Sequence, residues 1–175
     1  MKSIAFVVLS MAVAVASSPA PAKAQEMFAG FVMARVCLPY ATRAKTFEGA
    51  IRAARDMEFR RPAGDDAPLE DWASEVELVS KDGRWRLRIE EGTVTVGDAD
   101  VYQVSCGVWS GNASANELGR VARRVLGGSP LWSQAPDQPW RWDRRTARPA
   151  EFGLRIDVTD TPGTPPVLAA RGSYY

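Results

Sequence analysis

The residues able to do chemistry in this chain are few, and one type is missing. There is no histidine among the 175 residues. Serine–histidine and cysteine–histidine catalysis in their usual form are therefore excluded, as is histidine-ligated zinc. The two cysteines, Cys37 and Cys106, lie far apart, whereas redox-active pairs sit close together, as in C-x-x-C. The pattern favours a structural disulfide over its alternatives, a redox pair or two free thiols, and a disulfide removes thiolate catalysis as well. A serine–lysine dyad has little to work with: beyond the N-terminal segment there are only Lys45 and Lys81, and Ser80 and Lys81 are strand neighbours pointing to opposite faces.

Paired carboxylates remain as a histidine-free route to hydrolysis, as in glycoside cleavage. The candidates are Asp65-Asp66, Glu90-Glu91, Asp98 with Asp100, and Asp157 with Asp160. All fall at expected turns or strand ends, where such residues are commonly solvated or turn-forming. No D-x-[DN]-x-[DN]-G calcium loop is present, so neither a metal nor a cofactor is expected, and no catalytic residue is assigned.

Two features could bind. Arg84, Arg86 and Arg88 recur with period two, which puts them on one outward strand face. Glu77 opposite Arg88 suggests cross-strand ion pairs there rather than a ligand site. The second feature is Trp140-Arg141-Trp142, followed by Arg144, Arg145 and Arg148. Interleaved tryptophan and arginine suit an anionic envelope surface, a sugar or a protein partner. If both tryptophans instead point inward, they are core and the arginines are a solvated edge.

The elements that must position these residues follow an N-terminal segment of a different kind. Lys2, an apolar run from Ile4 to Ala16, and small residues ending Ala22-Lys23-Ala24 read as a cleavable secretory signal over residues 1–24. At about 13 residues the run is short of the roughly 20 that cross a bilayer, so no transmembrane span is expected after cleavage. Residues 25–175 then form a single domain with a near-neutral balance: the whole chain has 22 basic and 21 acidic residues, and Lys2 and Lys23 leave with the signal. Nothing global favours nucleic acid, and an oxidising compartment favours the disulfide.

A helix is predicted from Glu26 to Leu38, with Phe28, Phe31, Val32 and Arg35 at helical spacing and Pro39 ending it. A second runs from an N-cap at Thr46 to about Phe59, and Arg60 to Asp71 reads as a loop. From Trp72 to Trp109 the period becomes two. A turn at Asp82-Gly83 pairs Leu78 with Leu87 and Val76 with Ile89. A second turn at Glu91-Gly92 pairs Ile89 with Val94, and an odd loop through Asp98 pairs Val94 with Val104 and Val96 with Tyr102. The expectation is a four-stranded antiparallel meander with one apolar face that includes Cys106. A disulfide to Cys37 would clamp the first helix onto it. Ser114-x-x-Glu117 is a capping box opening a third helix that Gly127-Gly128 stops. Ser129 to Pro139 reads as a loop. Strands follow at Trp140–Asp143, Phe152–Thr159 and Pro166–Tyr174. The fold class is α+β, an antiparallel meander packed on one face by helices, with one helix-to-sheet disulfide and further C-terminal strands.

This order resembles small exported proteins of Gram-negative bacteria that carry no assigned activity. The resemblance rests on Cys37 in Val36-Cys37-Leu38, on Cys106 in Val104-Ser105-Cys106-Gly107-Val108, and on the Ser114–Leu126 helix. It covers roughly residues 26–127 and implies a periplasmic setting and the disulfide, but no activity. The sequence thus favours an exported, non-catalytic protein that binds an envelope component or a protein partner. A small carboxylate- or serine-dependent hydrolase and a structural accessory subunit are the alternatives.

Overall fold

The computed structural model describes residues 22–62, 74–144 and 151–175. Residues 1–21 of the expected signal, with Asp65, Asp66, Trp72, Arg145 and Arg148, lie outside the described residues.

The first helix, α1 (Ala22–Val32), turns Ala29 and Val32 inward and stacks Phe28 against Phe59. It does not stop at Pro39. Met33–Cys37 widen into a π turn in which the Leu38 N–H donates to the Met33 carbonyl, and a short helix α2 (Leu38–Ala41) continues beyond it. Pro39 sits in the first turn of α2, where its missing N–H has no helical partner to lose. The expected break becomes a register change, and Phe31 is left half-exposed beside Arg35. The next helix, α3 (Phe47–Arg55), is capped by Thr46, whose Oγ1 accepts from the Gly49 N–H at 3.1 Å. It ends before Phe59, which with Arg60 forms a two-residue edge strand β1 (Phe59–Arg60).

Strand β2 (Glu75–Ser80) alternates exposed and buried residues and pairs with β3 (Arg86–Val96) in the expected register, Leu78 opposite Leu87 and Val76 opposite Ile89. Asp82 shapes the intervening loop by accepting from Ser80 Oγ at 2.6 Å and from the Arg84 N–H at 3.1 Å. The turn expected at Glu91-Gly92 does not form. Gly92 lacks the positive φ of a tight hairpin, and β3 runs straight through it. The reversal comes at Gly97-Asp98, with Gly97 at φ 63° and Val96 opposite Ala99 as β4 (Ala99–Trp109) begins. Val94 therefore faces Val101, not Val104, and Tyr102 faces Thr93, not Val96. The odd loop answered a face reversal that the missing turn never causes. Three strands replace four, and Cys106 still falls inward opposite Ile89.

Helix α4 (Ala115–Leu126) carries both halves of the predicted capping box: Ser114 Oγ accepts from the Glu117 N–H, and the Glu117 carboxylate accepts from the Ser114 N–H. Gly127 ends it in the left-handed region at φ 57°, where a side chain would be strained. The stretch expected to be a loop contains a short strand, β5 (Trp132–Gln134), which opens a second antiparallel run through β6 (Arg141–Arg144), β7 (Glu151–Thr159) and β8 (Val167–Tyr174).

All the described strands join one antiparallel sheet in the order β1-β2-β3-β4-β8-β7-β6-β5, closed in the middle by β8 against β4. One face is apolar, with Leu78, Leu87, Ile89, Val108, Ile156 and Leu168 fully buried beneath the helices; each such side chain contributes about 1.5–3 kcal/mol. The Cys37–Cys106 disulfide ties the helical layer to the sheet across 69 residues. Loop-closure entropy places its contribution at about 4 kcal/mol. Glu26 is buried between α1 and α4, accepting from Arg120 Nε at 2.9 Å and from Arg124 Nη2 at 3.0 Å. Burial alone would raise its carboxyl, but the two guanidinium groups outweigh that and hold it below the ordinary range.

Candidate functional site

The helices cover one face of the sheet, and the other face carries the polar residues of the same strands. Because every pairing is antiparallel and, apart from an irregularity between Glu151 and Gly153 on β7, in register, side chains on this face line up in rows across the strands. One row reads Glu75, Glu90, Ser105, Arg171, Arg155, Asp143, from β2 through β3, β4, β8 and β7 to β6. On one side of it runs Glu77, Arg88, Gly107, Ala169, Asp157, Arg141, and on the other Gly92, Gln103, Ser173, Gly153. Residues from six adjacent strands, Glu75 to Asp143, line a single open groove of about 730 Å³, so the sheet curls around this face.

The groove has an acidic side and a basic side. Glu75 and Glu90 stand directly opposite each other on β2 and β3, and Arg171 and Arg155 do the same on β8 and β7. Like charges in that position oppose folding, and each pair is met by one counter-charge from the next row. Arg88 Nη2 reaches Glu75 at 2.8 Å. Asp157 takes both arginines, pairing with Arg171 and lying 3.2 Å from Arg155 Nε. Arg141 is held by Asp143, with Nε 3.0 Å from both carboxylate oxygens. Among the described residues, Glu90 and Arg144 make no ion pair. Ser105, Gln103 and Ser173 supply neutral donors and acceptors between the two sides.

At one end the groove adjoins a smaller cavity of about 260 Å³ at the helix–sheet junction, and Glu91 lines both. Tyr40 donates to Glu91 Oε2 at 2.9 Å and to the Glu90 carbonyl at 3.1 Å. Burial, and then the Glu91 carboxylate, push the Tyr102 hydroxyl up to about 12 and that of Tyr40 in the same direction. Arg43 lies over the rings of Tyr102 and Tyr174, 5.1 and 5.3 Å from their centroids. This cluster lines the junction and holds the Glu91 carboxylate through the Tyr40 hydroxyl.

The residues singled out from sequence are divided between the faces. Trp142 is buried in the core, and Trp140 lies half-buried over Gly119 of α4, where a Cβ would overlap its ring. The two rings are 6.5 Å apart. Arg141 and Arg144 from the same segment border the groove, but Arg144 follows Asp143 and stands opposite buried Leu154, so only Arg141 shares the open face. Arg86 and Arg88 are exposed on β3, pairing diagonally with Glu77 and Glu75 rather than directly across, while Arg84 lies in the preceding loop with Asp82 at 3.8 Å. Asp100 accepts from Thr95 at the β3–β4 tip, and Asp157 is engaged by arginine. Glu90 and Glu91, neighbours in sequence, point to opposite faces and cannot act on one ligand atom together.

Sequence reasoning missed Glu75, Gln103, Arg155 and Arg171. Leu154, Ile156 and Val158 alternate with Arg155 and Asp157 in the sequence, a signal that could have put those two on the outward face. What was lacking was the pairing of β8 with β4, which brings two strand groups distant in sequence into one row. Among the described residues, no group of three or more histidine, cysteine, aspartate or glutamate side chains could hold a metal, and no helix is long and apolar enough to cross a membrane. No family model, curated protein or solved structure matches the chain.

Proposed function

We propose that this chain is an exported, non-catalytic binding protein of the periplasm or medium. Its ligand surface is the uncovered face of the sheet, and its ligand is an envelope component or a protein partner. The observation that carries the reading is the open groove of about 730 Å³, lined by arginines on one side and glutamates on the other over a floor of serine and glutamine. Pockets with convergent, fixed polar groups are the default recognition sites of small domains. Here the groups belong to rigid strands rather than loops. The lack of histidine removes the commonest general base and weighs toward recognition. Arg141 stays in the site and Arg144 at its border, while Trp140 and Trp142 lie behind it.

Export is supported by the charge and hydropathy pattern of residues 1–24 and by a disulfide suited to an oxidising compartment. Expression of the whole chain in a Gram-negative host should yield periplasmic protein whose sequence starts at Gln25. Cytoplasmic protein retaining Met1 would end this part of the proposal. For binding, the mature protein and an Arg144→Glu/Arg171→Glu variant are used to capture ligands from envelope extracts. The expected result is loss of the captured species by a variant whose circular dichroism spectrum remains that of the folded protein; equal capture by both proteins removes the groove from the reading.

One observation favours a second reading, a carboxylate-dependent hydrolase: Glu75 and Glu90 face the groove as cross-strand neighbours. Turnover of a glycoside or ester that Glu90→Gln abolishes would establish it. Failure of Glu90→Gln to change a measured turnover would sink it.

A further inference from the structure

The charge pattern of the groove specifies its ligand more closely than "polar". Two like-charged pairs stand directly opposite one another in a single cross-strand row, Glu75 with Glu90 and Arg171 with Arg155. Each pair costs stability, and each is only half compensated, one by Arg88 and the other by Asp157. One negative charge at Glu90 and one positive charge shared by Arg155 and Arg171 are left facing the cavity. A place where a sequence violates a stability rule twice in one row is where function is to be sought. Glu90 and Arg171 are two strands apart, with only Ser105 of β4 between them. Two strand spacings are about 10 Å. The adjacent row widens the cavity at this level, since a Cβ on Gly92 or Gly153 would meet nothing within 4 Å.

We infer that the groove binds a short, extended peptide with free ends, its amino group at Glu90 and its carboxylate at Arg171 and Arg155. At about 3.4 Å per residue, three residues span about 10 Å. Ser105, Gln103 and Ser173 lie where the intervening amides need partners. Each end of such a ligand completes a pair that the fold leaves incomplete. An anion alone would leave Glu90 unmatched, and a cation alone would leave the arginines so. The inference rests on the binding-protein reading and names the ligand class for the same site.

The test is titration of the mature protein with L-alanine peptides of two to six residues, followed by amide NMR shifts and calorimetry. Affinity should peak at three or four residues, with shifts centred on Ser105, Arg171 and Ser173. N-acetylation or C-amidation should each weaken binding at least tenfold. Glu90→Gln should abolish the effect of acetylation, and Arg171→Gln that of amidation, while each variant keeps its amide spectrum outside the groove. Equal affinity for free and blocked peptides, no dependence on length, or no binding at all overturns the inference. If the peptides fail but Arg144→Glu/Arg171→Glu still abolishes capture from envelope extracts, the binding reading stands and only the ligand class is wrong. If capture is also unchanged, both fall.

Discussion

The two faces of the sheet are written in alternate residues of the same strands, yet they are built to opposite rules. On the covered face Leu78, Leu87, Ile89, Ile156 and Leu168 interlock with the helices and are fully buried. On the open face the neighbouring positions hold Glu77, Arg88, Arg155 and Asp157, tied into lateral ion pairs, and Glu90, which makes none among the described residues. Packing on the first face is tight enough that single atoms matter. The second face carries like charges directly opposite each other, Glu75 with Glu90 and Arg155 with Arg171, an arrangement that costs stability. The disulfide is the strongest link between the helices and the covered face, so breaking it should have the largest effect. Cys37→Ser/Cys106→Ser should lose about 4 kcal/mol, read as a lower urea midpoint. A loss below about 1 kcal/mol would mean that packing alone holds the helical layer.

Two glycine substitutions contrast packing on the two faces. At Gly119 on α4 a Cβ would fall within the Trp140 ring, whereas at Gly153 on β7 it would meet nothing. Gly119→Ala should cost about 2 kcal/mol through overpacking. Gly153→Ala should be neutral or slightly stabilising, because it removes unfolded-state freedom at no steric cost. Thermal melts of the two variants decide the point, and equal shifts would remove the contrast.

The next effect belongs to charge on the covered side. The carboxyl of Glu26 is held below its ordinary value of 4.5 despite burial, because Arg120 and Arg124 outweigh desolvation. Its contribution is therefore present above the unfolded value and lost as pH falls through the folded one. Both arginines are more than half exposed, so solvent screening limits Glu26→Gln to about 1 kcal/mol. Stability curves of the wild type and Glu26→Gln should converge below pH 4.5. Tyr102 gives the opposite slope at the other end of the scale. Its hydroxyl, raised from 10.0 to about 12 by burial and by Glu91, stabilises the fold below pH 10. That contribution is lost as pH rises toward 12, and Tyr102→Phe should flatten this alkaline limb of the denaturation profile.

The same division explains what was readable in the sequence. Local signals were sufficient wherever one element carried its own specification: Thr46 and Ser114 as caps, Gly127 as a stop, and the Leu78–Leu87 register through alternation. The Cys37–Cys106 link followed from count and parity. Pro39 misled because its cost depends on a hydrogen bond that the π turn before it had already displaced. Gly92 misled because glycine permits a turn without requiring one. The groove was least legible of all. Arg155 and Glu90 become parts of one row only through the pairing of β8 with β4, a contact between distant segments that no local pattern encodes.

The smallest stability effects should come from the open face, and their smallness is itself informative. Arg86 and Glu77 form an exposed pair on β3 and β2 outside the groove lining, and Arg86→Ala should change stability by no more than about 0.5 kcal/mol. Arg144 makes no ion pair among the described residues, so Arg144→Gln should change stability by a similarly small amount. Glu90→Gln goes further and makes the contrast two-sided. Removing one of two opposed carboxylates relieves repulsion with Glu75, so the variant should melt at or slightly above the wild type while losing ligand. A residue kept for folding cannot behave in that way, because its loss would lower the melting temperature. If Glu90→Gln melts clearly lower, the carboxylate is part of the framework, and the difference between the two faces is one of solvent exposure alone.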